Sequence, residues 1–508
     1  MKKVVKKREI YFIACYNYVK FIEILSKIKK EILMYDSKKT FIKKANIISP
    51  FRAILFFYVV AIIFSTILLS LPFAYKEGAD PAFIDVVFVA VSAISVTGLT
   101  PITISETFNE IGYILLAIVL QLGAVGIMAL GTFVWIILGK KIGLKERRLI
   151  MTDQNQTQFS GMVRLVKQIF LVLFVIEFIS FVILGTYYLR YFPLNEAYLN
   201  GFFSTISAIS NGGFDITGSS LIPYKNDYFL QFYTIILIIF GAIGFPVLIE
   251  VKEYLFSKKR NRVFFRFSLF TKLTTLTFLI LIVFGTIFIF LLDMNQFFVG
   301  KPWHEKFFYS FFQSVTTRSA GLSTMDVSQL TEQNHLFMSF LMFIGASPSS
   351  AGGGIRTTTF ALVVIFIFTY ARGGDSIHLF KREVHKQDLV KAVVVTLLAI
   401  FVAYTALIVL TAIEPFSVTE LFFEITSAFG TVGLSLGITS ELTTFSKIIL
   451  MVLMFIGRVG IVTALFMFKR NKKRWKLSLS KRKNYHRVDM LIEIVVLCFF
   501  LFNVVNWL

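Results

Sequence analysis

Thr431-Val432-Gly433-Leu434 follows the apolar run Val418 to Phe429 and precedes Ser435-Leu436-Gly437. A Thr-Val-Gly turn after a short helix sets several carbonyl oxygens along one axis. Rings of such oxygens replace the water shell of a permeating K⁺. One loop cannot encircle an ion, and about four are needed. Three more stretches fit. Ser95-Val96-Thr97-Gly98-Leu99-Thr100 follows Phe83 to Ile94, and Ser210-Asn211-Gly212-Gly213-Phe214-Asp215 follows Phe202 to Ile209. Thr316-Thr317-Arg318-Ser319-Ala320-Gly321-Leu322 follows Phe307 to Val315. The glycines Gly98, Gly213, Gly321 and Gly433 are separated by 115, 108 and 112 residues. A near-constant period of that size marks one structural unit used four times. Any one of these glycines alone reads as an ordinary turn. Four at constant spacing, each after a short apolar run, do not.

The composition agrees with a membrane location. The 508 residues are 56% hydrophobic and 16% charged, with a mean hydropathy of +0.75. Those values place the chain among polytopic membrane proteins. The net charge of +22 would point to nucleic acid in a soluble protein, and here is assigned to basic cytoplasmic loops, with no nucleic-acid partner. Cys15 and Cys498 stand at opposite ends and form no disulfide framework or metal site. The lysine-rich start has no apolar core with a small-residue cleavage site, so no signal peptide is expected.

The expected architecture is an all-α polytopic membrane protein: four membrane–pore-loop–membrane repeats around one central pore. Residues 1–49 form a basic cytoplasmic arm, either an amphipathic helix over 10–25 or a loosely ordered segment. Repeat one covers 50–138, repeat two 139–253, repeat three 254–373 and repeat four 374–470. The first spanning helices are placed at 51–71, 165–189, 273–293 and 391–412. The short helices are placed at 82–94, 197–209, 303–315 and 417–429, and the second spanning helices at 108–138, 226–253, 334–373 and 443–468. The short helices fall below the roughly 20 residues a bilayer crossing needs. Irregular backbone at that depth is tolerated only when buried or lining water. Residues 471–508 are a basic segment and an apolar tail; Met490 to Leu508 is either a ninth spanning helix or a tail packed against a second subunit.

Orientation comes from the segments that follow each repeat. They carry Lys140, Lys141, Lys145, Arg147 and Arg148, then Lys258, Lys259, Arg260, Arg262, Arg266 and Lys272. The later two carry Arg372, Lys381, Arg382, Lys386 and Lys391, then Lys469, Arg470, Lys472, Lys473, Arg474 and Lys476. Loops inside repeats are poorer in bases and hold Glu106, Glu110, Asp326, Glu332 and Glu414. The positive-inside rule puts both core termini in the cytoplasm, the glycine loops near the outer face and the chain in the cell membrane.

The candidate filter is Val96, Thr97, Gly98 and Leu99; Asn211, Gly212, Gly213 and Phe214; Ser319, Ala320, Gly321 and Leu322; Thr431, Val432, Gly433 and Leu434. The glycines allow positive φ and close approach. The short helices aim their negative ends at a cation. No ring of four acids accompanies the loops, and only Asp215 follows one directly, which argues for carbonyl coordination and for K⁺ over Ca²⁺. K⁺ at the filter carbonyls is the only metal expected.

Repeat three carries a break. Gly345-Ala346-Ser347-Pro348-Ser349-Ser350-Ala351-Gly352-Gly353-Gly354 cannot continue a helix, because proline clashes and each glycine costs about 1 kcal/mol. It is expected to be the only broken second helix. Gly345, Ser347, Pro348, Ser349, Ser350, Gly352, Gly353 and Gly354 read as a gate below the filter, or as a plain linker. Arg458 in the last core helix reads as a positive barrier in the pore, or as one half of an ion pair with Glu424. Glu177 reads as a structural intramembrane charge, and Arg318 as orienting filter backbone or as solvated. His304, His335, His378, His385 and His486 lie in loops or at helix ends with no catalytic or metal constellation, and no phosphate-binding loop is present, so no enzyme is expected.

These residues resemble the Trk/Ktr/HKT superfamily of potassium-translocating membrane subunits over about 50–470. The specific matches are Ser95 to Thr100, Gln313 to Gly321, Ser347 to Thr359, Ser427 to Ser435 and Phe455 to Gly460. The resemblance implies four repeats around one pore, usually in a homodimer with one pore per subunit. It implies that Gly98, Gly213, Gly321 and Gly433 form the selectivity filter, that 345–358 is the intramembrane gate, and that Arg458 lies near it. Without an extra N-terminal helix pair the chain is more similar to the Ktr type, which works with a cytoplasmic ring of nucleotide-binding regulatory subunits. Two departures stand out: Asn211-Gly212-Gly213 where Asn-Ala-Gly is usual, and the apolar tail after 487. Passive K⁺ uptake is the expected function. The alternatives are a Na⁺-permeable or Na⁺-coupled member, disfavoured because Na⁺-selective relatives tend to carry serine for the first glycine, and a secondary transporter of another fold. No cofactor beyond the transported K⁺, with Na⁺ as a coupling or activating ion, is expected.

Overall fold

A computed structural model describes residues 50–126, 162–256, 265–374, 376–380 and 382–461. The chain divides into two compact units, Met1–Met467 and Phe468–Leu508, and every described residue belongs to the first. The N-terminal arm, Cys15 and Cys498, the basic stretches 140–148 and 469–476, Lys258, Lys259, Arg260, Arg262 and Lys381, and the tail 490–508 lie outside the described residues.

The described residues are almost wholly helical, and one element order recurs: a long helix, a short helix, a glycine loop, a second helix. The first set is α1 (Pro50–Leu69), α2 (Phe83–Ser95) and α3 (Glu110–Val125). The second is α4 (Met162–Tyr188), α5 (Leu194–Ser210), α6 (Tyr228–Ala242) and α7 (Phe245–Phe256). The third is α8 (Leu269–Leu292), α9 (Trp303–Thr316), α10 (Glu332–Ile344) and α11 (Thr357–Ala371). The fourth is α12 (Lys386–Ile413), α13 (Val418–Gly430) and α14 (Thr444–Val459). The strands β1 (His378–Leu379) and β2 (Arg382–Glu383) pair antiparallel ahead of α12.

Local chemistry sets the helix starts. Asn109, Asp227, Thr331 and Thr443 each sit before a second helix, and each side chain accepts the N–H three residues on, from Gly112, Leu230, Asn334 and Ser446. Such caps satisfy donors a helix start leaves open. Ser417 and Glu420 form a reciprocal capping box on α13.

Three described helices are long and apolar enough to cross a bilayer: Val163–Tyr188, Leu269–Leu292 and Lys386–Ile413. They present Phe174, Phe178, Ile280, Val283, Leu397 and Ile408 outward. Such surfaces suit lipid, where all backbone polar groups are satisfied inside the helix. The short helices are the reverse. From Phe88 to Ile94 on α2 and from Phe423 to Phe429 on α13, all residues are buried.

Packing closes a ring. Each short helix packs within its own set, and each second helix also packs on the next short helix: α3 on α5, α6 on α9, α10 on α13, and α14 back on α2. A buried ion pair clamps the closing seam, with Lys447 Nζ of α14 2.8 Å from Asp85 Oδ1 of α2.

The expectation of a single broken second helix is wrong. α6 and α7 meet at 106°. Gly244 between them has φ +101°, and Pro246 supplies no N–H to the Ala242 carbonyl. α3 ends at Gly126 (φ +88°) and α14 at Gly460 (φ +89°). Second helices therefore stop or turn at a glycine in every set; the continuous span 226–253 does not form, and the helix begun at Thr444 stops at Gly460.

Candidate functional site

The four glycines meet. A Cβ built on Gly98 would fall 2.6 Å from the Gly212 carbonyl oxygen and 2.9 Å from the Cα of Gly213. One on Gly213 would fall 2.9 Å from the Ala320 oxygen and 3.2 Å from the Cα of Gly321. One on Gly321 would fall 2.3 Å from the Val432 oxygen, and one on Gly433 would fall 2.2 Å from the Thr97 oxygen. The contacts run from loop to loop in chain order and return to the start, so the loops form a closed ring of backbone with no room for side chains. Gly213, Gly321 and Gly433 are partly exposed between buried neighbours.

The loops share one backbone form. Positive φ occurs at each glycine (94°, 68°, 71° and 95° in chain order) and also two residues earlier, at Val96 (57°), Asn211 (55°), Ser319 (98°) and Thr431 (50°). Positive φ at β-branched Val96 and Thr431 is an outlier, of a kind that persists where the surroundings hold it. Here the ends of the short helices do so: Thr97, Gly212 and Val432 N–H groups reach back to the carbonyls of Ser92, Ser207 and Ser427 at 2.8, 2.7 and 2.9 Å. Hydroxyls pin the loops further. Ser92 Oγ accepts from Gly98 N–H at 3.0 Å and Ser427 Oγ from Gly433 N–H at 3.1 Å. Ser207 donates to the Phe214 carbonyl and Thr316 to the Leu322 carbonyl, each at 2.6 Å.

A further regularity escaped the sequence reading. Two residues past each glycine stand Thr100, Asp215, Ser323 and Ser435, whose side chains accept the N–H of Ile102 (3.2 Å), Thr217 (3.1 Å), Met325 (3.3 Å) and Gly437 (2.9 Å). These are side-chain turns of the Asx and Ser/Thr kind. The signal was available, as a short polar residue at glycine plus two in all four loops. Glycines on the second helices were missed too. Cβ atoms on Gly123, Gly241 and Gly457 would strike the carbonyl oxygens of Ile94, Ile209 and Phe429 at 2.5, 2.1 and 1.9 Å. Each struck residue stands four before a ring glycine, so α3, α6 and α14 brace three of the loops by direct backbone contact.

The 345–354 segment packs against the ring at loops three and four. Space for a Cβ at Gly352 is filled by Ser319, and at Gly353 by Thr431. Ser319 Oγ itself donates to the Thr431 carbonyl at 2.6 Å. Ser347, Ser349 and Ser350 are buried. The segment takes up backbone groups that the broken helices release: Ser347 and Ala351 N–H donate to Ala242 and Gly241 O at 3.1 Å each, Gly354 N–H donates to Gly457 O at 3.2 Å, and Ser349 O accepts from Phe245 N–H at 2.9 Å. Pro348 contributes its carbonyl, which leaves no room for a Cβ at Gly244.

Arg458 is buried, and its partners are carbonyls. Nη1 donates to Ser350 (3.4 Å), Ala351 and Gly352 (3.2 Å), and Nη2 to Gly123 and Ala124 (3.0 Å). The proposed ion pair with Glu424 does not form, because Glu424 accepts from Ser435 Oγ and from Thr439 Oγ1 at 3.0 Å. The physical reason is the orphan carbonyls at the end of α3, whose negative dipole end holds a cation without an acid. Arg318 is fully buried and donates to the Leu341 carbonyl, which rules out the solvated position. Glu177 accepts from Gln121 Nε2 at 2.6 Å, linking α4 to α3. Among the described residues no group of His, Cys, Asp or Glu could hold a metal ion.

Residues 31–477 match the family described as TrkH, cation transport protein. The chain is 56% identical over 431 residues to Ktr system potassium uptake protein D of Bacillus subtilis, covering 85% of this chain and 95% of that protein. It is 34% identical to Ktr system potassium uptake protein B of the same organism, covering 82% and 92%. It is 31% identical to potassium/sodium uptake protein NtpJ of Enterococcus hirae, again covering 82% and 92%. The crystal structure of the potassium transporter TrkH from Vibrio parahaemolyticus superposes with a TM-score of 0.63 at 19% identity, over 81% of this chain and 84% of that one, a likeness of fold. A match across the whole helical core, with relatives this similar at nearly full length, makes the chain a member of the TrkH cation transport protein family.

Proposed function

We propose that this chain is the K⁺-translocating membrane subunit of a Ktr/Trk-like uptake system, passing K⁺ through the ring at Gly98, Gly213, Gly321 and Gly433. The observation that carries this reading is the closed contact of four glycine loops, each holding positive φ at the glycine and two residues before it. That backbone offers carbonyl oxygens in place of water and leaves no space for a larger residue. The short helices end at the ring with their negative poles, which favours a cation. Flux is passive and follows the membrane potential.

The 345–354 segment is the gate, and Arg458 its latch. Both sit on released helix carbonyls, an arrangement that can be exchanged for water when the segment moves. The functional unit is a homodimer in the cell membrane, with core termini in the cytoplasm and a cytoplasmic ring of nucleotide-binding subunits as partner. The names of the Bacillus subtilis relatives, which place them in a Ktr system, support a multicomponent assembly. The printed name of the Enterococcus hirae relative keeps a second reading, a Na⁺-permeable or Na⁺-coupled member.

The test is cation uptake into liposomes holding the purified chain, with K⁺ or Na⁺ as sole permeant ion at a set potential. K⁺ entry that follows the potential and exceeds Na⁺ entry is expected. Equal entry of both ions overturns the K⁺ reading in favour of the Na⁺-permeable one.

A further inference from the structure

The limbs that leave the ring glycines are not equivalent. All four make the same side-chain turn, but two are anchored by carboxylates. On the fourth loop, Glu424 of α13 is wholly buried and, among the described residues, forms no ion pair. One carboxylate oxygen accepts from Ser435 Oγ and the other from Thr439 Oγ1 at 3.0 Å, while Thr439 Oγ1 also lies 3.0 Å from Ser435 Oγ. Ser435 is the residue two past Gly433, so the acid holds the first turn of the outgoing limb. On the second loop the acid is in the limb itself. Asp215, two past Gly213, accepts from Thr217 N–H (3.1 Å), Thr217 Oγ1 (2.9 Å), Gly218 N–H (2.7 Å) and Ser220 N–H (2.9 Å).

The ring order makes these loops diagonal partners: loop two touches loops one and three, and loop four touches loops three and one. Loops one and three have no such acid. Nine residues before the glycine, where α13 carries Glu424, α2 carries Val89 and α9 carries Phe312, both fully buried. Glu424 engages two hydroxyls at once, and Asp215 engages three backbone N–H groups and a hydroxyl, so each acid ties several points of its limb together. The two anchored limbs are therefore the stiff ones.

Resting on the filter reading above, we propose that Glu424 and Asp215 are positioning residues for ion selectivity: they fix the outgoing limbs of two opposed loops and so set the width of the carbonyl ring along that diagonal. A ring free to contract would accommodate the smaller Na⁺ better, so loosening either limb lowers discrimination. Neither acid touches the ion; each acts through the turn it holds.

The experiment measures K⁺ and Na⁺ permeation by reversal potential in liposomes containing the full chain. Glu424→Ala removes the acceptor for both hydroxyls. Its K⁺/Na⁺ permeability ratio is expected to fall about tenfold, the scale of one or two lost hydrogen bonds. Glu424→Gln keeps one oxygen acceptor and recovers most of that loss. Asp215→Asn shows the smaller fall of a weakened acceptor. Ser435→Ala and Thr439→Val cut the same contacts from the other side without leaving an apolar gap beside the helix, and report the effect even if Glu424→Ala does not fold. Wild-type ratios in both of these hydroxyl variants overturn the proposal. Gly98→Ser, run alongside, separates the two levels: a ratio changed by Gly98→Ser but not by the anchor variants sinks this inference alone, and a ratio changed by none of them sinks the filter reading itself.

Discussion

Thr97 and Gly433, from the first and last loops of the core, are in backbone contact: a Cβ on Gly433 would lie 2.2 Å from the Thr97 carbonyl oxygen. Real Cβ contacts do not come this close, so the glycine is required there on steric grounds before any question of its φ of +95° arises. The same holds at Gly98 against Gly212. Gly98→Ser is expected to widen the seam and weaken K⁺ over Na⁺ selectivity by roughly tenfold or more, on the scale of a lost carbonyl ligand. Reversal potentials in liposomes check it, and unchanged selectivity would remove Gly98 from the filter.

Deleting 347–354 is expected to raise passive flux, because the segment packs on Ser319 and Thr431 at the ring. It also takes the N–H partners from Gly241 and Ala242, so the melting temperature in detergent should drop at the same time. A folded deletion variant with the wild-type rate would return the segment to the linker reading.

Arg458→Lys keeps the charge but cannot reach both α3 and the 350–352 carbonyls with a planar fork. Higher flux is expected than in the parent chain. Arg458→Met should raise it further and destabilise the fold by roughly 1–3 kcal/mol for each buried carbonyl left unpaired. Flux and thermal unfolding are read in parallel, and a variant less conductive than the parent contradicts the latch role.

The Lys447–Asp85 pair closes the seam between α14 and α2 and is mostly buried. Removing one partner leaves a lone charge, at a cost of about 3 kcal/mol or more. Lys447→Met should therefore lower the melting temperature markedly, and Lys447→Met with Asp85→Leu should recover part of the loss. A single variant as stable as the parent would show that the seam does not depend on the pair.

Asp227, ahead of α6 and outside the spanning segments, accepts from Tyr187 and Tyr191 hydroxyls at 2.7 Å and from Leu230 N–H at 3.1 Å. Burial pushes its pKa up, and these donors outweigh it and hold the carboxyl below the ordinary range. A group with a depressed folded pKa stabilises above its unfolded value, near 3.9, and loses that contribution as pH falls toward the folded value. Melting temperature should therefore decline on acidification below about pH 4, and decline less in Asp227→Asn. Identical slopes in the two proteins would remove Asp227 from the acid response.

Much of this was legible in the chain itself. The glycine period picks out Gly98, Gly213, Gly321 and Gly433, and helix period and apolar length place α1, α4, α8 and α12 within a few residues of their observed spans. Arg458 stood out because a charge in an apolar helix is costly. The turn of α6 at Gly244 did have a signal, Gly244 with Pro246 two residues on, which the apolar length of 226–253 masked. Sequence alone could not assign partners to Arg458 and Glu424, because an acid and a base within one set invite pairing whatever their distance. Nor could it see positive φ at Val96 and Thr431, which local propensity forbids.

The sequence by itself determined four glycine loops, apolar helices and one Gly-rich break, because period, length and the exclusion of side chains are properties of the chain read locally. Only the tertiary structure decided that the loops close into one ring in chain order, and that Arg458 and the 347–351 backbone take up the carbonyls freed at α3 and α6. It also decided that Glu424 serves Ser435 and Thr439. Those facts depend on where released hydrogen-bonding groups fall in space, and a buried polar group takes whichever partner geometry brings within about 3 Å.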